Sequence, residues 1–237
     1  MQKTMLTLAA LMGSYQVWAG PVTERYSAAN TIQFAVSEET KTFVGSAFLL
    51  QHQKNLYAVT AKHVLMAVMD QGIQYIDVAN HVKQWQLHPF NEVTGTVTLG
   101  RLINADATEK LDMEVLKDDW LLFEVNNNDA ALKPVQLASE PLKAGDQIHV
   151  FGCYYQVQDS CQQEHFTGVY LKHTDHNLLV RLDDVETAQL RGLSGAPVLN
   201  DRHEVVGIVS NTIPGESGEL LFAPFDIRPL AEYLKRL

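Results

Sequence analysis

A serine flanked by glycines lies near the end of the chain, in the run RGLSGAPV at residues 191–198. Glycine tolerates the positive φ angles of a tight turn, so the run can present the Ser194 hydroxyl. The same turn can aim the backbone amides of Gly192 and Ser194 at one point, as an oxyanion hole requires. A hydroxyl is a useful nucleophile only when a base takes its proton. The run predicts acyl transfer if a base lies nearby; a glycine-rich turn between strands is the alternative.

His63 is the best placed base among the nine histidines. It follows an apolar run at residues 57–61 and opens HVLMAVMD, which has the character of a short helical turn. A strand that ends here would leave the imidazole at the end of a sheet, where it could reach Ser194. A lone histidine in such a place is usually structural, so the prediction depends on its pairing with the serine.

An acid must hold the imidazole in the correct tautomer. Asp119 directly precedes the apolar run WLLFEV, which would bury the surroundings of its carboxylate. Asp118 and Asp112 are rivals, because a surface acid at a strand entrance is common. The pattern of an acid followed directly by a buried strand favours Asp119 over these two rivals.

The elements that must position these residues are mostly short strands. Helical patterns are confined to the turn after His63 and to IRPLAEYLKRL at the end of the chain. Strands without intervening helices predict antiparallel pairing and an all-β protein. The segments with strand character are residues 31–36, 42–51, 55–60, 95–102, 120–125, 147–151, 167–171, 178–182, 205–209 and 220–223.

Three motifs together resemble the trypsin/chymotrypsin-like serine protease family. TAKHVL is similar to the family's histidine motif, DWLLF to its acid motif and GLSGAPV to its nucleophile motif. They occur in the family order His, Asp, Ser, whereas α/β-hydrolases and subtilisins have other orders. GDQIHVFG at residues 145–152 resembles the strand that opens the family's second barrel, and GLSGAPVLNDRHEVVGI resembles bacterial glutamyl endopeptidases.

The resemblance implies two six-stranded antiparallel β-barrels of the trypsin-like fold, with a short C-terminal helix and an active site between the barrels. His63 and Asp119 would come from a barrel within residues 20–135, and Ser194 from a barrel within residues 136–237. The proline-containing segment LKPVQLASEPLKAG at residues 132–145 supports a boundary there.

The sequence departs from the digestive members of the family in ways that concern activation and specificity. Leu193 replaces the acid that pairs with a newly cleaved N-terminus, so activation by such insertion is not expected. Ala188, six residues before Ser194, gives no acidic pocket base. With Ser210, Asn211 and Thr212 as further pocket residues, we expect a small or medium uncharged side chain to be preferred.

The first nineteen residues have one early lysine, a short apolar stretch and small residues at 17 and 19, and they predict a signal peptide (1–19). A membrane anchor or a buried first strand is the alternative, but the apolar run is too short to span a bilayer. Export places Cys153 and Cys161, the two cysteines, where disulfides persist; two unpaired thiols are the other possibility. We expect a periplasmic or secreted protein.

Charge and composition limit the classes of binding partner that the protein could have. The formal net charge is −10, without basic runs, which disfavours nucleic acid. We expect a polypeptide substrate, a monomer without membrane contact after signal removal, and no cofactor.

His173 and His176, with His81 and His88, could offer metal ligands, but a polar hairpin turn is the stronger interpretation. A peptide-binding module with little activity and an esterase on the same scaffold are the alternative functions.

Overall fold

The structure, a computed structural model, describes residues 24–91, 95–157, 160–183, 185, 190–216 and 218–237. The predicted signal peptide and the predicted pocket residue Ala188 lie outside these ranges. Within them, no helix is long and apolar enough to cross a membrane.

The first part of the chain forms one barrel. Its sheet has the order β2-β1-β3-β4-β9-β7-β6 and closes through pairing of β1 with β6, so that six strands form the barrel and β2 extends from β1. β5 and β8 form a separate two-stranded sheet. The strands are β1 (Ala28–Phe34), β2 (Thr40–Lys41), β3 (Ser46–His52), β4 (Asn55–Thr60), β5 (Tyr75–Ile76), β6 (Val82–His88), β7 (Val97–Leu102), β8 (Asp106–Lys110) and β9 (Leu121–Asn128).

The second barrel follows. The order β10-β15-β14-β11-β12-β13-β16 closes through pairing of β15 with β16, and the two-residue β10 adds to β15 in parallel. The strands are β10 (Gln136–Leu137), β11 (Gln147–Gly152), β12 (Glu164–His173), β13 (Leu178–Leu182), β14 (Pro197–Asn200), β15 (Glu204–Pro214) and β16 (Leu220–Asp226), followed by α1 (Arg228–Leu234). In the described part of the chain, 3-10 helices span Lys62–Gln71, Met113–Asp118 and Tyr155–Val157.

Two large clusters of apolar side chains form the core, and the first of them extends from the first barrel to Leu199 and Phe225 of the second. Phe48, Leu49 and Phe123 are buried in the first core, and Val150 and Val198 in the second. α1 buries Leu230 and Leu234 in the first cluster, and its Tyr233 contacts the first barrel through the ring of Trp120 and the Ile103 carbonyl oxygen. The C-terminal helix therefore holds the end of the chain against the barrel that contains His63.

The predicted all-β fold with two six-stranded antiparallel barrels is confirmed. Residues 42–45 were wrongly included in a strand, because Phe43 and Gly45 have φ angles of 53° and 68° and β3 begins only at Ser46. Among the barrel strands, β6 and β14 were missed, and the short strands β2, β5, β8 and β10 were missed as well. β6 buries little besides Trp85 and Leu87, and β14 has only four residues and begins with Pro197. The predicted boundary at residue 135 falls between β9 and β11 and stays a prediction.

Candidate active site

Two of the predicted residues meet because β4 and β9 are neighbours. These strands are antiparallel, with Thr60 opposite Leu121. The chain leaves β4 and reaches His63 in the first turn of the 3-10 helix Lys62–Gln71, while Asp119 lies just before β9. The end of one antiparallel strand and the start of its partner share one edge of the sheet. His63 and Asp119 therefore lie side by side.

A continuous chain of hydrogen bonds joins His63, Asp119 and Ser194. The Nδ1 atom of His63 is 2.6 Å from Asp119 Oδ2, and its Nε2 atom is 2.7 Å from Ser194 Oγ. The His63 backbone amide also donates to Asp119 Oδ1 at 3.0 Å. The structure thus brings together three side chains that are far apart in the sequence.

The environment of Asp119 fixes how the imidazole can act. The Asp119 residue is fully buried, and Ser210 Oγ donates to its Oδ2 at 2.5 Å. A carboxylate only accepts hydrogen bonds, so a neutral His63 carries its hydrogen on Nδ1. Its Nε2 is then the acceptor for the Ser194 hydroxyl, which is the arrangement a general base requires.

The rival acids have other partners. Asp118 contacts Lys62 Nζ at 3.2 Å and accepts from Trp120 Nε1 at 2.6 Å. Asp112 accepts from the Glu114 amide at 2.9 Å and caps the 3-10 helix Met113–Asp118. Among the three predicted candidates, Asp119 is the one that contacts His63.

The turn that carries Ser194 needs both of its glycines. Gly192 and Gly195 have φ angles of 107° and 89°, in the region that favours glycine. A Cβ at position 195 would overlap the Ser46 carbonyl oxygen and the Thr60 hydroxyl. The Gly195 amide donates to Val209 O at 2.8 Å, which holds the turn on β15.

Ser46, at the start of β3, fastens the turn to the first barrel. Its amide donates to Ser194 O at 2.7 Å, and its hydroxyl donates to Gly192 O at 2.8 Å. Asn30, which is fully buried, donates in turn to Ser46 O at 2.9 Å and accepts from Trp85 Nε1 at 3.0 Å. Neither Ser46 nor Asn30 lies in a motif that marks it out, so sequence reasoning missed both.

The amides of Gly192 and Ser194, which are the predicted oxyanion donors, lie in the nucleophile turn. Within the described ranges, neither amide donates to a backbone carbonyl, although the neighbouring amides of Leu193, Gly195 and Ala196 do. An oxyanion hole is built from backbone amides that are free to donate to the substrate, and the assignment of these two amides to one stays a prediction.

The remaining predicted pocket residues, Ser210, Asn211 and Thr212, follow Val209 on β15. Asn211 faces Ala223 and Thr212 faces Phe222 in the pairing with β16. The Oδ1 atom of Asn211 is buried without a hydrogen-bond partner in the described structure. The Ser210 side chain is engaged by Asp119, so only its backbone remains for substrate. The pocket assignment stays a prediction.

Cys153 and Cys161 form the expected disulfide, with 5.9 Å between their Cα atoms. The bond lies beside the nucleophile turn, because a Cβ added to Gly192 would be 3.0 Å from Cys153 O. The sequence predicted the pairing, but its position next to the turn follows only from the fold.

A buried lysine adjoins the base. The Lys62 side chain is 3% exposed, and its Nζ lies 2.8 and 2.9 Å from the two carboxylate oxygens of Glu109 and 3.2 Å from Asp118. Burial of a charged lysine requires such partners. Because Lys62 precedes His63 and Asp118 precedes Asp119, the ion pair links the chain segments of the base and the acid.

A second group of histidines lies on the second barrel. His149 Nδ1 is 2.9 Å from His165 Nε2, and His149 Nε2 is 2.8 Å from Asp201. His165 stacks on Phe151 with ring centroids 4.5 Å apart. Burial, together with the nearby His149 and His203, lowers the pKa of His165 to about 4, and burial lowers the pKa of His203.

His173 and His176, weighed as metal ligands, lie at the end of β12 and in the turn that follows it. Thr174 bonds to Asn177 across this turn, and His173 lies 3.6 Å from Asp226. In the part of the chain that the structure describes, no cluster of three or more His, Cys, Asp or Glu side chains has a geometry that could hold a metal ion.

Comparison with known families agrees with the fold. The family model described as a trypsin-like peptidase domain matches residues 45–208. The match begins just before β3, contains β4 and β9, and ends within β15. No curated protein matches the chain.

Proposed function

The chain belongs to the trypsin-like peptidase family, and on that premise we propose that it is an exported serine endopeptidase. In this proposal Ser194 is the nucleophile, His63 the general base and Asp119 the residue that orients the imidazole. The observation that carries the proposal is the continuous hydrogen-bond chain from Asp119 through His63 to Ser194, at 2.6 and 2.7 Å.

The first half of the reaction acylates the enzyme. His63 Nε2 takes the Ser194 proton while Oγ bonds to the carbonyl carbon of the scissile peptide. The carbonyl oxygen becomes an oxyanion and accepts from the amides of Gly192 and Ser194. The intermediate collapses by breaking the C–N bond, and His63 returns the proton to the leaving amine. Asp119 stabilises the imidazolium that exists between these proton transfers.

The second half releases the product. A water molecule replaces the amine, His63 takes one of its protons, and the resulting hydroxide attacks the ester carbonyl carbon. The second tetrahedral intermediate uses the same two amides. Breaking the C–O bond gives the free acid, and His63 returns the proton to Ser194 Oγ. No cofactor enters either half.

Export and specificity are parts of the same proposal. The disulfide between Cys153 and Cys161 is compatible with an oxidising compartment, and the first nineteen residues have the pattern of a signal peptide. Residues 192–208 resemble bacterial glutamyl endopeptidases, which supports that branch of the family. Ala188, Asn211 and Thr212 nevertheless favour an uncharged side chain in the pocket.

Cleavage of an unfolded polypeptide tests the proposal. Purified wild-type protein should degrade reduced and carboxymethylated casein, and Ser194→Ala and His63→Ala should lose on the order of 10⁴- to 10⁶-fold of that rate. Ser37→Ala and His176→Ala, which change exposed residues of the same types, are the matched controls and should retain the wild-type rate. Equal cleavage by wild type and Ser194→Ala would refute the proposal, and ester turnover without any cleavage of casein would favour an esterase.

A further inference from the structure

The chain segment after the first cysteine lies against the nucleophile turn. This segment, residues 153–156, is called here the Tyr155 segment. The Tyr155 amide donates to Arg191 O at 2.8 Å. A Cβ at Gly192 would be 2.9 Å from Tyr155 N and 3.0 Å from Cys153 O, so the segment and the turn touch backbone to backbone.

This hydrogen bond determines where the Gly192 amide points. Arg191 C=O and Gly192 N–H belong to one planar trans peptide, so they point in opposite directions. Holding the carbonyl on the Tyr155 amide therefore directs the Gly192 N–H to the opposite side of the peptide. Without the Tyr155 amide, the Arg191–Gly192 peptide would lose the bond that opposes its rotation.

The Tyr155 side chain fastens the segment to the first barrel. Its hydroxyl accepts from the Gly45 amide at 3.1 Å, and its ring makes an edge contact with Phe43 at 4.8 Å. Gly45 is next to Ser46, which binds the carbonyls of Gly192 and Ser194. Tyr155 thus connects the first barrel to the peptide that supplies one oxyanion donor.

The disulfide limits the movement of this segment. Cys153 begins it and is bonded to Cys161, and both cysteines are buried with Phe90 and Ala29. Leu193, which replaces the acid found in digestive relatives, is fully buried in the second core and offers no charge to pair with an N-terminus. The turn must therefore be held by other contacts.

We propose that Tyr155, held by the Cys153–Cys161 disulfide, is a positioning residue for the oxyanion hole and acts through the Arg191–Gly192 peptide. The inference rests on the proposed peptidase function. Tyr155 touches no reacting atom in this scheme. It sets the direction of the Gly192 amide, which bonds more strongly to the oxyanion than to the ground-state carbonyl.

A split between kcat and KM tests the proposal. Deleting an oxyanion donor costs about 10²–10³ in kcat. Tyr155→Ala keeps the amide but loses its anchors, so we expect kcat to fall about 10- to 100-fold, with KM changed by less than about twofold. Tyr155→Phe keeps the ring contact with Phe43 and should recover most of kcat. Cys153→Ser/Cys161→Ser should lower kcat in the same way as Tyr155→Ala.

Tyr154→Ala is the matched control, because it removes a neighbouring tyrosine whose ring packs on Phe166 of β12. Its kcat should stay near the wild-type value. The infrared band of the acyl-enzyme carbonyl, with a cinnamoyl ester as the probe, reports the oxyanion bonds directly. Wild type and Tyr154→Ala should share a lowered stretching frequency, and Tyr155→Ala should shift it towards that of a free ester.

The outcomes separate the two proposals. Equal kcat and equal carbonyl frequency in Tyr155→Ala and Tyr154→Ala would overturn the positioning role. A wild-type protein that forms no acyl-enzyme would instead overturn the peptidase function. If Tyr155→Ala does not fold, the cysteine double variant supplies the same two readouts, and wild-type values for both would equally refute the role.

Discussion

Replacing Glu109 with glutamine should destabilise the fold more than replacing its partner Lys62 with methionine. Removing one partner of a buried ion pair costs about 3–5 kcal/mol, because the remaining charge is buried without compensation. Glu109→Gln leaves the Lys62 ammonium, which is 3% exposed, with Asp118 at 3.2 Å. Since this second carboxylate remains, we expect the low end of the range, about 3 kcal/mol.

Lys62→Met should cost less. The carboxylates it leaves behind are 29% exposed at Glu109 and 50% exposed at Asp118, so water can solvate both. Methionine fills most of the volume of the lysine stem, and replacing buried ionic groups by apolar ones of similar size is often nearly neutral. We expect a loss of about 1 kcal/mol, and Lys62→Met/Glu109→Gln should be close to Lys62→Met alone.

Urea unfolding followed by tryptophan fluorescence measures these differences as changes in the free energy of unfolding. A Ser194→Ala background prevents self-cleavage during the measurement. Lys117→Met is the control, because Lys117 and Glu114 form an exposed pair, which should be worth less than about 0.5 kcal/mol. If Lys62→Met costs as much as Glu109→Gln or more, the argument from the buried ammonium is refuted.

Three further predictions concern other parts of the fold. Gly195→Ala should reduce the stability of the protein by several kcal/mol, on the order of 3 or more, because its Cβ would overlap the Ser46 carbonyl oxygen; a Tm within a degree of wild type would contradict this. Cys153→Ser/Cys161→Ser should lower the free energy of unfolding by about 2–3 kcal/mol on the chain-entropy model, and urea curves that superimpose on wild type would rule that out. The pKa of His165 is lowered to about 4 by burial and by His149 and His203, below its ordinary 6.5. The unfolded chain therefore binds the proton more readily between these values, and stability should fall as pH drops from about 6.5 to 4. Because His165 is only partly buried and water screens its charge, we expect a loss on the order of 1 kcal/mol, which His165→Phe should abolish; an unchanged acid profile in that variant would show that other groups are responsible.

The sequence was most informative where residue type and neighbouring pattern agree. Apolar runs before His63 and after Asp119 correspond to β4 and β9, and the glycines around Ser194 have the positive φ angles that the turn needs. The pairing of β4 with β9 brings the first two together, and no local pattern encodes that register. The catalytic roles of the three residues stay predictions until activity is measured.

The contacts that support the site could not be predicted from sequence patterns, because they join distant parts of the chain. Ser46, Asn30 and Tyr155 make hydrogen bonds to backbone atoms around the site. Partners 146 residues apart, such as Ser46 and Gly192, leave no trace in local composition. In the sequence, Lys62 looks like an ordinary surface lysine. Its burial depends on an ion pair with Glu109, which lies on β8, a strand whose residues are mostly exposed and polar. Long-range polar contacts of this kind are visible only after the chain has folded.

The most direct test of the central claim is the mass of the protein after treatment with a fluorophosphonate. Wild-type protein should gain one phosphonyl group, and peptide mapping should locate it on Ser194. His63→Ala should react slower by on the order of 10³-fold or more, because no base then takes the Ser194 proton. Labelling at another residue, or equal labelling rates in wild type and His63→Ala, would contradict the account.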